Sequence, residues 1–241
     1  MKKLIYITTL ILSVLFVSCS LDNYDTPDAR VKGAIVDLAT KGAGQEKTIP
    51  VQTVNGAKIA LYEEGYAQPI YFSIKGDGTF EGDMIFSGNY KLVPQGPFFV
   101  TSEDTIRTSI PAAGDIKFYL EPFLRIRIND AYLNFSGNDL TVKFVISKSS
   151  NPNTGRLSIY RVVWANTPLL DKNTQVTTID GSRNFKEVSV SAGNEADSLD
   201  KELSVTVSGV DPNKPVYVRI AACVAGTTHY NYSEPFKVYI K

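Results

Sequence analysis

Few residues in this sequence can carry covalent chemistry, and the best placed is a cysteine. Phe16-Val17-Ser18-Cys19 closes an apolar run from Leu4 to Val17, and Lys2 and Lys3 precede that run. A short apolar stretch behind a basic start has the proportions of a secretory h-region. A small residue just before a cysteine at its end is the lipobox arrangement. The peptidase needs a small side chain at the cut, and the thiol takes the diacylglycerol. An ordinary signal peptide with a chance cysteine, or a short anchor helix, would use the same residues. The expectation is a signal peptide over residues 1–18 and a lipid on Cys19. Two or more acyl chains there would give stable membrane attachment.

Other reactive groups are sparse. His229 is the sole histidine, and no G-x-S-x-G motif accompanies it, so a Ser-His-Asp device is poorly supported. One histidine and one remaining thiol, Cys223, cannot furnish a zinc site without several carboxylates. Asp77 sits in a segment too short for a helical calcium loop and reads as a turn residue. The acidic clusters Glu63-Glu64, Glu103-Asp104 and Glu195 to Asp200 lie in polar stretches. Nothing in the sequence sets two of them across a cleft, as glycoside hydrolysis requires. The expectation is no enzyme, no cofactor and no metal.

Aromatic residues are the richer resource: 13 Tyr, 12 Phe and 1 Trp. Sugar rings present apolar C–H faces to flat aromatic rings, and nearby Asn, Asp or Arg can bond the hydroxyls. Candidates must sit at strand ends or in loops. Trp164 closes a strand before Ala165-Asn166-Thr167-Pro168, although Tyr160 and Val162 share its face and a core position fits equally. Tyr230 and Asn231 lie in the final turn, with Tyr230 the better exposed candidate beside a structural Tyr232. Tyr66, beside Gly65, is a weaker candidate. Trp164, Tyr230 and Asn231 form the expected ligand-binding set.

Strands must position these residues. Sustained helical stripes are missing after Cys19. Short alternating runs rich in Val, Ile, Tyr, Phe and Thr recur between Gly, Pro, Asn and Asp, an all-β pattern. Residues 19–29 are polar and acidic and read as a tether. One set of strands runs over residues 30–121, with a long loop from Gly42 to Asn55 and a hairpin turn at Asp77-Gly78. A second set runs over residues 122–241. Two consecutive β-sandwich domains are therefore expected.

Charge is balanced, 25 basic against 25 acidic residues, so nucleic acid is not an expected partner. With Cys19 taken by lipid, Cys223 has no disulfide partner, and stability must come from burial.

Three resemblances sharpen this reading. Gly33-Ala34-Ile35-Val36-Asp37, Asp77-Gly78-Thr79-Phe80 and Gly88-Asn89-Tyr90-Lys91-Leu92 follow the motif order of the carboxypeptidase-regulatory-like (transthyretin-like) sandwich. Val218, Arg219, Ile220, Ala222, Gly226 and Tyr232-Ser233-Glu234-Pro235 resemble a fibronectin type III domain. Val216 stands where that family has its corner tyrosine, so either Tyr217 substitutes or the corner is absent. Cys19 followed by Leu21 to Asp25 resembles the start of a Bacteroidetes family of surface lipoproteins of unknown function. Its members are associated with Sus-like glycan-uptake systems. That resemblance implies an outer-membrane, cell-surface location. It also implies capture of a glycan or oligosaccharide beside a porin and its glycan-binding lipoprotein. The first sandwich would then be a stalk and the second the ligand-facing module. A non-catalytic envelope scaffold or protein-interaction lipoprotein is the alternative. Asp104-Thr105-Ile106 and Asp197-Ser198-Leu199 also resemble short Bacteroidetes O-glycosylation sequences.

Overall fold

The structure is a computed structural model, described for residues 26–112, 114–129 and 134–238. Cys19 and the start of the tether lie outside the described residues. The fold is all-β, as expected, with helical content among the described residues limited to short 3-10 turns such as Leu38–Thr40.

The first sandwich contains β1 (Ala29–Asp37), β2 (Lys58–Glu63), β3 (Ile70–Ser73), β4 (Thr79–Ile85), β5 (Gly88–Gln95), β6 (Phe98–Phe99), β7 (Ile106–Ile110) and β8 (Ile116–Pro122). One sheet has the order β4-β1-β8-β6, and the facing sheet has β3-β2-β5-β7. Ile35, Ile59, Leu61, Phe80, Leu92, Phe118 and Leu120 fill the space between them. β5 shows why: Tyr90, Leu92 and Pro94 point inward while Asn89, Lys91 and Val93 alternate outward. β1 runs parallel to β8, with Gly33 opposite Ile116. A Cβ on Gly33 would lie 2.0 Å from the Ile116 carbonyl oxygen, so the pairing requires glycine there.

The Asp77-Gly78 turn forms, with Gly78 at φ +84° and the Asp77 carboxylate accepting from the Thr79 backbone N–H. It differs from a simple hairpin. Beyond the Ile74–Phe80 bridge its two arms enter opposite sheets. The Phe72 ring occupies the space where a Cβ on Gly82 would stand, so side-chain packing replaces ladder pairing.

The second sandwich contains β9 (Leu124–Ile128), β10 (Asn134–Ser136), β11 (Asp139–Lys148), β12 (Leu157–Ala165), β13 (Phe185–Ser189), β14 (Glu202–Val207), β15 (Val216–Val224), β16 (Asn231–Tyr232) and β17 (Phe236–Val238). β11 pairs with β14, β9 and β10. The facing sheet is β13-β12-β15, with β16 and β17 both pairing with β15. Leu140, Val142, Phe144, Trp164, Val218 and Ile220 are core residues between the sheets. Tyr217 points the other way and packs with Val163, Ala165 and Leu170.

Only Phe123 separates β8 from β9, and its ring meets Phe99 edge-on with centroids 4.9 Å apart. The sandwiches are tied directly to each other. Val51, in the long loop of the first, bridges to Asn231 of β16. The Tyr232 N–H donates to the Pro50 carbonyl at 3.0 Å. Arg125 of β9 clasps the Asp37 carboxylate of β1 with two bonds, 2.6 and 2.7 Å. Arg219 is 3% exposed and donates to the carbonyls of Ser233, Leu170 and Gly76, the last in the first sandwich. The Tyr232 ring lies 4.5 Å from its guanidinium. Burial alone would expel such a charge, and the three carbonyls and the ring face offset that cost.

Candidate functional site

The three expected ligand residues are placed away from solvent. Trp164 is 1% exposed. β12 continues through Ala165, so Trp164 keeps the inward parity of Tyr160 and Val162 and lies in the core with them. Asn231 is 2% exposed and faces the first sandwich, accepting from the Leu124 N–H at 3.1 Å and donating to the Pro97 carbonyl at 3.0 Å. Tyr230 is 9% exposed and packs with Ala221, Cys223 and Tyr232. Tyr230 and Tyr232, two residues apart, share one face, away from the sandwich core, rather than opposite ones, and that outer face is itself covered. The three do not form an open sugar platform, and this corrects the ligand-facing role given to the second sandwich.

The first sandwich carries an open site. A groove of about 790 Å³ runs over one end of the β2–β5–β7 sheet and the loop after β2. Strand register builds its floor. Tyr62, Lys91 and Arg107 stand side by side across β2, β5 and β7. Asn89 and Ser109 form the next row on the same outward face. Glu64 joins that row: Asn89 donates from Nδ2 to the Glu64 carboxylate at 2.9 Å, and the Ser109 hydroxyl donates to Asn89 Oδ1 at 2.7 Å. Gly65, at φ +89°, lets the loop turn back. Tyr66 follows at the rim with 68% of its surface exposed. Tyr90 lines the inner side, its hydroxyl donating to the Phe86 carbonyl at 2.9 Å. Burial, helped by the nearby Glu63 charge, raises the Tyr90 phenol above its ordinary range, so it stays neutral.

Chemically, the groove offers the exposed Tyr66 ring and a half-buried Tyr62 ring capped by Lys91, beside a fixed row of carboxylate, amide and hydroxyl groups. It suits a polyol with apolar ring faces. Tyr66 was legible from its place beside a loop glycine. Glu64 was noted only within an acidic cluster, and Tyr62, Asn89, Lys91, Arg107 and Ser109 were missed. The available signal was the outward half of Gly88-Asn89-Tyr90-Lys91-Leu92, whose inward half carried the motif.

Elsewhere, His229 is half-buried, and burial, with Lys58 nearby, lowers its pKa. Among the described residues no group of three or more His, Cys, Asp or Glu is placed to hold a metal. Burial pushes the Cys223 thiol up to about 11, so it is a weak nucleophile at neutral pH.

The span that builds this groove also carries a family signature. Residues 29–120 match the N-terminal domain of DUF3823, a protein family of unknown function. Every groove residue falls inside that DUF3823 match. A DUF3823 family protein from Bacteroides uniformis has a solved structure that superposes with a TM-score of 0.71 at 20% identity, covering 89% of this chain and 100% of its own. One from Parabacteroides merdae gives 0.67 at 17% identity over the same shares. A third, from Bacteroides uniformis, gives 0.65 at 19% identity, again over 89% and 100%, and is named a "putative carbohydrate binding protein". These likenesses carry the fold across both sandwiches. No curated protein matches the chain significantly.

Proposed function

We propose that this chain is a DUF3823 protein that binds glycan without acting on it, anchored through Cys19 at a Bacteroidetes outer-membrane surface. On this reading it serves a Sus-like polysaccharide uptake system beside a porin and its glycan-binding lipoprotein. The observation that carries the reading is the groove. The exposed Tyr66 ring stacks on a sugar face, and Glu64, Asn89 and Ser109 bond the hydroxyls. The carbohydrate binding ascribed to one Bacteroides uniformis relative supports it. Catalysis is not invoked, because Glu63 and Glu64 are consecutive on one strand end and do not face each other across the groove.

The test is affinity electrophoresis of the full chain, extracted in a non-ionic detergent, through gels loaded with single polysaccharides. Retardation by at least one glycan is expected, and Tyr66→Ala should lose it about tenfold while unfolding at the same temperature. If a correctly folded chain runs freely through every gel, the reading fails.

One observation favours the alternative of an envelope interaction protein. Ile70 on β3 at the edge of one sheet, and Met84 on β4 at the edge of the other with Phe86 just after it, are exposed. Co-purification with a porin that survives Tyr66→Ala would favour that alternative.

A further inference from the structure

The groove holds a charge arrangement that a neutral sugar does not explain. Lys91 and Arg107 are direct cross-strand neighbours on the outer face of β5 and β7. Like charges placed opposite each other in a sheet repel. Elsewhere the protein sets opposite charges at such positions: Arg161 faces Glu187 in register between β12 and β13 and pairs with it. Among the described residues neither Lys91 nor Arg107 forms an ion pair. Lys91 instead rests over the neutral Tyr62 ring, its Nζ 4.8 Å from the centroid. The carboxylate lining the same outward face, Glu64, is engaged by the Asn89 amide. Two cations thus stand side by side in register among the residues that line the groove.

We infer that this pair is the subsite for an anionic group, and that the glycan taken by the groove is an acidic polysaccharide. This deepens the glycan reading above and rests on it. A carboxylate or sulfate ester accepts N–H bonds from both cations, and charge assistance makes those bonds strong. Arg107 presents a planar fork that fits either oxyanion, while Lys91 acts as a point charge fixed by the Tyr62 face. Tyr66 holds the sugar ring and the Asn89–Ser109 row reads its hydroxyls. Uronic acids and sulfated sugars share this chemistry.

Affinity electrophoresis separates the possibilities. Gels carry polygalacturonate, chondroitin sulfate or neutral dextran and glucomannan, at low and at moderate salt. The expected result is retardation by one acidic polymer and not by the neutral ones, weakening as salt rises. Lys91→Gln with Arg107→Gln should lower retention by that polymer at least tenfold. Lys201→Gln with Lys214→Gln, which removes equal charge outside the groove, should leave it unchanged. Retention by a neutral polymer that survives the groove variant overturns the acidic subsite and leaves the glycan reading standing. Retention by an acidic polymer that both double variants weaken equally also overturns the subsite, because net charge alone then explains it. Free migration through every gel removes the subsite and the glycan reading together.

Discussion

In the first sandwich the end of the β2–β5–β7 sheet that carries the groove has an open outer face, and along β5 the outward residues alternate with the core. In the second, the outer face of β12 and β15 is covered twice. Leu170, Val176, Phe185 and Tyr217 close over Val163 and Ala165 at one end. Tyr230 and Tyr232 close over Ala221 and Cys223 at the other, where the first sandwich also meets them through Val51 and Pro50. One fold class therefore yields two surfaces. A sheet with one free face can present a binding row, and a sheet buried on both faces becomes the joint of the molecule. The aromatic side chains divide accordingly: Tyr62 and Tyr66 line a groove, whereas Trp164, Tyr230 and Tyr232 pack.

The largest effect should come from treating a packing aromatic as if it were a binding one. Trp164→Ala empties the core among Phe144, Tyr160 and Val218, and should cost about 3–5 kcal/mol. Urea unfolding would show it as a midpoint shift. Any fraction that remains folded should still be retained by glycan. Tyr230→Ala should follow at about 3 kcal/mol, since its ring is buried against Ala221 and Cys223 on the outer face of the sheet rather than between the sheets. It too should leave glycan retention unchanged, the reverse of Tyr66→Ala. If Tyr230→Ala abolished retention without loss of stability, the division between the two sandwiches would collapse.

The joint itself can be probed next. Asn231→Ala leaves the Leu124 N–H without its acceptor, while the Pro97 carbonyl still accepts from the Phe123 N–H. One buried donor is orphaned, a cost of about 1–3 kcal/mol. Differential scanning calorimetry should show one transition moved to lower temperature. An unchanged transition would mean that Asn231 does not bind the sandwiches together.

The contrast was partly legible in the sequence. Gly88-Asn89-Tyr90-Lys91-Leu92 alternates, and alternation marks a sheet with one wet face. Val216-Tyr217-Val218-Arg219-Ile220-Ala221-Ala222-Cys223-Val224 is nearly continuous in apolar residues, the mark of a strand covered on both sides. Strand positions, the Asp77-Gly78 turn and the all-β class followed from such local signals. Trp164, Tyr230 and Asn231 were misjudged because their burial depends on partners distant in sequence. The loop carrying Leu170 covers one end of β12, and the loop carrying Val51 meets β16. The groove was missed for a related reason. Tyr62, Lys91 and Arg107 become neighbours only through the register of three strands, and nothing local announces that register.

The smallest expected effect lies at the Asp37–Arg125 clasp and depends on pH. Burial works to raise the Asp37 pKa, but bonds from Arg125 and the Ala39 N–H, with the guanidinium charge, outweigh it and hold the carboxyl below its ordinary range. A depressed folded pKa gives stability that is present above the unfolded value, about 3.9, and is lost as pH falls through the folded value. Asp37→Asn should therefore be less stable than the native chain at pH 7, and the gap should close as pH drops below about 4. Urea titrations at pH 7, 5 and 3.5 would measure it. A gap that stayed constant across this range would show that the clasp contributes by shape rather than by charge.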